Sequence, residues 1–107
     1  MGAEPVPGSQ RIDRFLWFAR LARSRSAAQA LCEKGHVRLD GRRIDRAHAA
    51  VRVGSVLSLP LPAGVRVLRI EKLPHRRGPA PEAAGLYRDL TSPLQRNPPI
   101  DEAQGRE

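Results

Sequence analysis

Apolar residues recur at two different periods along this chain, and the change of period divides it. Ile12, Phe15, Leu16 and Ala19 fall at i, i+3, i+4 and i+7, one stripe of a short amphipathic helix, with Arg11, Arg14 and Phe18 off the stripe. The pattern breaks at Leu21 to Arg23. Ser24 then offers a hydroxyl to the free amides of a second helix, whose apolar face is Ala27, Ala28, Leu31 and Cys32 and which stops at Gly35. Beyond it the period falls to two. Val37 and Leu39 alternate with Arg38, Asp40-Gly41 predicts a tight hairpin turn, and Arg42 to Ile44 form its return arm.

Val51 and Val53 lead to a turn at Gly54-Ser55, and Leu57, Leu59 and Leu61 alternate after it. Pro60 and Pro62 mark that run as an edge or terminating strand. Gly64 opens a further strand over Val65 to Leu73, and Pro81 predicts a short helix that it begins and that reaches about Leu90. Residues 1–10 and 92–107, rich in proline and polar residues, are expected to be a disordered leader and tail. The folded unit is expected over residues 11–91.

At 107 residues the chain has room for one domain, burying about 60–65% of its unfolded surface. That is little wall for an enzyme's cleft, so a binding protein is expected rather than an enzyme. The net charge is +8, and only Lys34 and Lys72 among nineteen basic residues are lysine. Residues 11–54 hold eleven bases against four acids, whereas residues 82–107 hold three against five. A field so concentrated suggests a polyanionic partner.

Arginine suits that partner, because its planar fork pairs bidentately with phosphate and stacks on bases. The candidates are Arg11 and Arg14 from the first helix, Arg20, Arg23 and Arg25 from the corner, and Arg38, Arg42 and Arg43 from the hairpin. The amides near Ser24 and Arg25 add an anion site at a helix start. Trp17 either packs on the sheet or the C-terminal segment, or stacks on an unpaired base. Asp13 is expected to orient an arginine or favour the helix start, not to move protons.

Cys32, alone, forms no internal disulfide and suits a reducing compartment as a small buried side chain. His36, His48 and His75 lie too far apart for metal-ligand spacing and are expected to be structural, with His36 near enough the hairpin to contact phosphate. No cofactor motif occurs. No stretch reaches the roughly 18 apolar residues of a membrane span, so a cytoplasmic protein is expected.

Three runs carry a family resemblance: Arg11-Ile12-Asp13-Arg14, then Ala22-Arg23-Ser24-Arg25-Ser26-Ala27-Ala28-Gln29-Ala30-Leu31, then Gly35-His36-Val37-Arg38-Leu39-Asp40-Gly41. In order and spacing they resemble the S4 RNA-binding domain, with its R-L-D-K, S-R-x-x-A and G-x-V-x-V-N-G pattern. Phe15 to Arg20 and the distal Arg76-Arg77-Gly78-Pro79-Ala80-Pro81-Glu82-Ala83-Ala84-Gly85-Leu86-Tyr87 are similar to the bacterial fifteen-kilodalton heat-shock protein family within that superfamily. Asp40 stands where asparagine is usual, and Ser55 where aspartate often follows Gly54. Relatives carry a longer basic helical tail.

The resemblance implies an α+β, S4-like fold: two short helices, the αL motif, packed on a small antiparallel sheet and followed by a C-terminal helix. It adds Asp13, Ser24, Gln29, Asp40 and Gly41 to the arginines and Trp17 as RNA-binding positions. It further implies binding to ribosomal RNA of the large subunit, on free subunits still carrying peptidyl-tRNA after heat-induced dissociation, as part of rescue. A monomer is expected. Two other readings stay open: a protein-interaction adaptor using Trp17, Phe18 and Tyr87, and nonspecific nucleic-acid binding, DNA included, since phosphate neutralisation reads no sequence.

Overall fold

The computed structural model describes residues 8–91. The tail expected at 92–107 lies outside the described residues, as do residues 1–7 of the leader. Regular structure begins earlier than residue 11, with strand β1 (Ser9–Arg11) running directly into helix α1 (Ile12–Phe18). β1 pairs antiparallel with β4 (Ala50–Arg52), Gln10 opposite Val51. The first amides of α1 donate outside the helix, Ile12 N–H to the Ala49 carbonyl (2.8 Å) and Asp13 N–H to the Ala47 carbonyl (3.2 Å). Arg11, at the cap position, makes no side-chain cap bond. A partner distant in sequence thus starts this helix.

Helix α2 (Arg25–Glu33) starts as its sequence requires: the Ser24 hydroxyl accepts from Ala27 N–H at 3.0 Å. It ends at Gly35, with φ +82°. Strands β2 (Val37–Leu39) and β3 (Arg42–Ile44) form the expected hairpin, and Asp40 and Gly41 take φ +52° and +84°. The main sheet adds β5 (Val56–Leu61), β6 (Gly64–Ile70) and β7 (Tyr87–Asp89), in the order β3-β2-β5-β6-β7 with antiparallel neighbours throughout.

Three features differ from the sequence-based expectation. β5 is central in the sheet and not an edge, although it does terminate at Leu61, just before Pro62; β2 pairs only with Leu57 and Ser58, so Pro60 lies past the end of β2 and its missing N–H interrupts no ladder on that side. β4 belongs to the small sheet with β1, and Val53 points into solvent, 61% exposed. The C-terminal helix, α3 (Ala80–Ala84), is far shorter than expected, with Pro79 at its cap and Pro81 second. After it Tyr87 to Asp89 leave the helix to pair with the open edge of β6, a pairing that satisfies backbone groups a longer helix would have left exposed there. β6 itself ends at Ile70, because the Glu71 and Lys72 amides turn to the Leu86 carbonyl.

One core joins these parts. Ile12, Phe15 and Leu16 of α1 and Ala28 and Cys32 of α2 are fully buried with Val37, Val51, Leu57, Leu59 and Leu68. Each large apolar side chain so buried contributes about 1.5–3 kcal/mol relative to exposure. Strand alternation puts Val37, Leu39, Leu57, Leu59 and Leu68 on one face, so the helices cover that face.

Candidate nucleic-acid interface

The apolar stripe of α1 holds its opposite flank outward, and Asp13 sits where the two meet. Its side chain is fully buried, yet donors from four residues converge on it. Arg11 Nε and Nη2 donate to Oδ1 and Oδ2, both at 3.1 Å. Gln29 Nε2 reaches Oδ2 at 3.1 Å, Arg25 Nε reaches the same oxygen at 3.4 Å, and the Arg14 amide reaches Oδ1 at 2.7 Å. Burial alone would raise the Asp13 carboxyl's pKa. The hydrogen bonds from Arg11 and Gln29 and the charges of Arg25 and Arg11 outweigh burial and hold it below its ordinary value.

Arg11 and Arg25 keep 39% and 33% of their side chains exposed, so each fork is oriented from beneath and open above. Asp13 therefore holds both forks from beneath, its own side chain fully buried. Gln29 belongs to the same cluster. Ser24 acts through the α2 cap, and Arg23 beside it is exposed.

Arg14 is exposed, its guanidinium 6.0 Å above the Phe18 ring. Trp17 is half-buried, and its ring contact is with Phe18, centroids 5.4 Å apart and planes tilted by 35°. Arg20 is committed elsewhere: with φ +61° it turns its Nε to the Gly78 carbonyl at 2.6 Å.

The hairpin divides its arginines. Arg38 and Arg43 stand directly opposite each other on the face away from the helices, whereas Arg42 pairs with Leu39 on the helix face. The eight arginines thus do not form one flat platform. Arg11, Arg14, Arg23, Arg25 and Arg42 lie on the helix side, and Arg38 and Arg43 on the reverse. Asp40 is held by the sheet, its Oδ1 accepting from Val56 N–H at 2.9 Å, while Gly41 supplies the turn and a carbonyl 3.5 Å from Arg38 Nη1.

Sequence reasoning does not find Gln10, which is buried and whose Nε2 donates to the Pro74 carbonyl at 2.8 Å. No local pattern signals a bond across that many residues. Cys32 is buried, and burial followed by the nearby Asp13 and Glu33 charges pushes its thiol up to about 12, which makes it an inert core side chain. Among the described residues no group of three or more His, Cys, Asp or Glu could hold a metal ion. No helix among them is long and apolar enough to cross a membrane.

This geometry has known relatives. The S4 domain family matches residues 10–57, the stretch that holds the Asp13 cluster, the α2 cap and the hairpin. Heat shock protein 15 homolog of Haemophilus influenzae is 33% identical over 90 residues, spanning 84% of this chain and 68% of the relative. The chain belongs to the heat shock protein 15 family. Vibrio cholerae Heat Shock Protein 15, whose solved structure is described as trimeric, has the same fold, with a TM-score of 0.72 and 34% identity over 77% of this chain and 82% of that one. The small ribosomal subunit protein uS4 of Listeria welshimeri is 42% identical over 50 residues, covering 47% of this chain and 25% of uS4. Heat shock protein 15 relatives are longer: the chain spans about two thirds of their length, 68% in Haemophilus influenzae and 64% in Escherichia coli K12. An S4 domain in a heat shock protein 15 chain makes this an RNA-binding protein of a ribosome-associated heat-shock family.

Proposed function

We propose that this protein docks on structured ribosomal RNA of the large subunit and takes part in rescuing or recycling stalled subunits that carry peptidyl-tRNA under heat stress. The observation that supports this most is the Asp13 cluster. A buried anion holds two guanidinium forks and an amide in fixed orientation beneath an exposed arginine, Arg14, so the ordering of these side chains precedes binding and costs less when RNA arrives. The α2 start, with Arg23 beside it, offers phosphate a helix N-terminus in the same region. Site residues on this reading are Arg11, Arg14, Arg23, Arg25, Gln29 and Arg42, with Arg38 and Arg43 reached only by RNA that wraps the hairpin. The protein works in the cytoplasm, where ribosomes are.

Sedimentation of tagged full-length protein through a sucrose gradient of cell lysate, before and after heating, tests the reading. Co-migration with free large subunits that increases on heating is expected. Migration at the top of the gradient in both states contradicts it. The half-exposed Trp17–Phe18 pair favours a second reading, a protein-interaction adaptor, which predicts binding to a protein partner that is indifferent to salt.

A further inference from the structure

The segment from Pro74 to Gly78 has no helix or strand, yet it is tied down at both ends. Gln10, one residue before Arg11, bonds the Pro74 carbonyl, and Arg20, two residues after α1, bonds the Gly78 carbonyl. Pro74 and Gly78 are buried, whereas His75 and Arg76 are exposed and Arg77 half-exposed. The anchors flank α1, which is about 10 Å long, and a five-residue segment can span about 13 Å. The loop therefore runs alongside α1, from the Asp13 end to the Phe18 end.

The Arg20 backbone adds an independent sign of purpose. A left-handed conformation strains a residue with a side chain and costs glycine almost nothing. Arginine occupies this position, and its Nε is used on the loop; such strain persists where a site needs the side chain. Within residues 72–78 the charged groups are Lys72, Arg76 and Arg77, with no acid. Arg76 meets Glu82 at 3.0 Å, but the two side chains are 66% and 49% exposed, so this pair adds little stability and a phosphate can displace the carboxylate.

We propose that the His75–Arg77 loop is a second RNA-backbone contact of this protein, continuing the Asp13 cluster along α1, and that Arg20 is its positioning residue. The proposal rests on the RNA-binding reading and extends it to residues outside the S4 domain match, which ends at residue 57. Arg76 and Arg77 meet phosphates, His75 lies beside them, and the fixed loop loses little freedom on binding.

Fluorescence titration of the full chain with a structured ribosomal RNA fragment at several salt concentrations tests it, with thermal melts to show that each variant folds. The R76Q/R77Q variant is expected to bind about tenfold more weakly, with a log-affinity against log-salt slope shallower by about 1.5, as loss of two phosphate contacts requires. R76K/R77K should recover most of the affinity. R20Q should weaken wild-type binding yet add almost nothing in the R76Q/R77Q background, since residues acting through one element are not additive. If R76Q/R77Q binds as tightly as wild type while R14Q/R23Q is weakened, the loop proposal is overturned and the RNA-binding reading stands. If neither pair affects binding, both fall. An R20Q effect of full size in the R76Q/R77Q background would overturn the positioning role.

Discussion

A carboxylate among arginines does two opposed things: it cancels one positive charge and it fixes where the others point. For Asp13 the second effect prevails, because its buried oxygens take donors from Arg11, Arg25 and Gln29 while both guanidinium groups stay partly in solvent. Its pKa is lowered in the folded chain, so the ionised form is the one folding favours. The stability it contributes is fully present above the unfolded value near 3.8 and is lost as pH falls below that toward the folded value. Asp89, lowered to about 2 despite slight burial by Thr91 hydrogen bonds and Arg66, loses its share in the same window. Replacing Asp13 with Asn should cost about 1–3 kcal/mol in urea unfolding at neutral pH, weaken RNA binding severalfold, and flatten part of the stability loss as pH falls below 3.8, leaving the part that Asp89 carries. Unchanged urea and RNA midpoints would show that the cluster is decoration. The sequence alone marks Asp13 as an orienter of arginine, but it does not reveal that Gln29 shares it, since α2 must first fold back on α1. Arg20 reads as a phosphate contact in sequence, because nothing local reveals a carbonyl 58 residues away.

Among the elements, those written in local chemistry are legible: the α1 stripe, the Ser24 cap, Gly35, and the Asp40-Gly41 turn. Elements made by distant pairing are not. β1 exists because β4 offers it an edge, β5 is central because β2 and β6 flank it, and β7 replaces the end of a helix because β6 has an open side. The hairpin carries a further consequence of register. Arg38 directly faces Arg43, and like charges so placed destabilise a sheet by roughly 0.2–1 kcal/mol. Arg43→Thr should therefore raise the melting temperature slightly in the absence of RNA, while lowering RNA affinity if RNA wraps the hairpin. A lower melting temperature would mean that the packing of the Arg43 guanidinium group near Gly35 outweighs the repulsion. Unchanged affinity would confine RNA to the helix side.

At the scale of the molecule, net charge and its skew toward residues 11–54 are enough to point to a polyanion, and the fold sorts that charge instead of pooling it. Core packing turns the α1 and α2 arginines outward on one side, the hairpin register sends two more to the reverse, and Gln10 and Arg20 draw a basic loop up along α1. The central claim is that phosphate contact through the helix-side arginines carries the affinity. Titration of the wild-type chain with structured ribosomal RNA at roughly 50 and 200 mM salt tests it most directly. Counterion release at five or more phosphates predicts a loss of affinity on the order of a hundredfold or more across that range. An affinity that holds within a few fold would contradict the account.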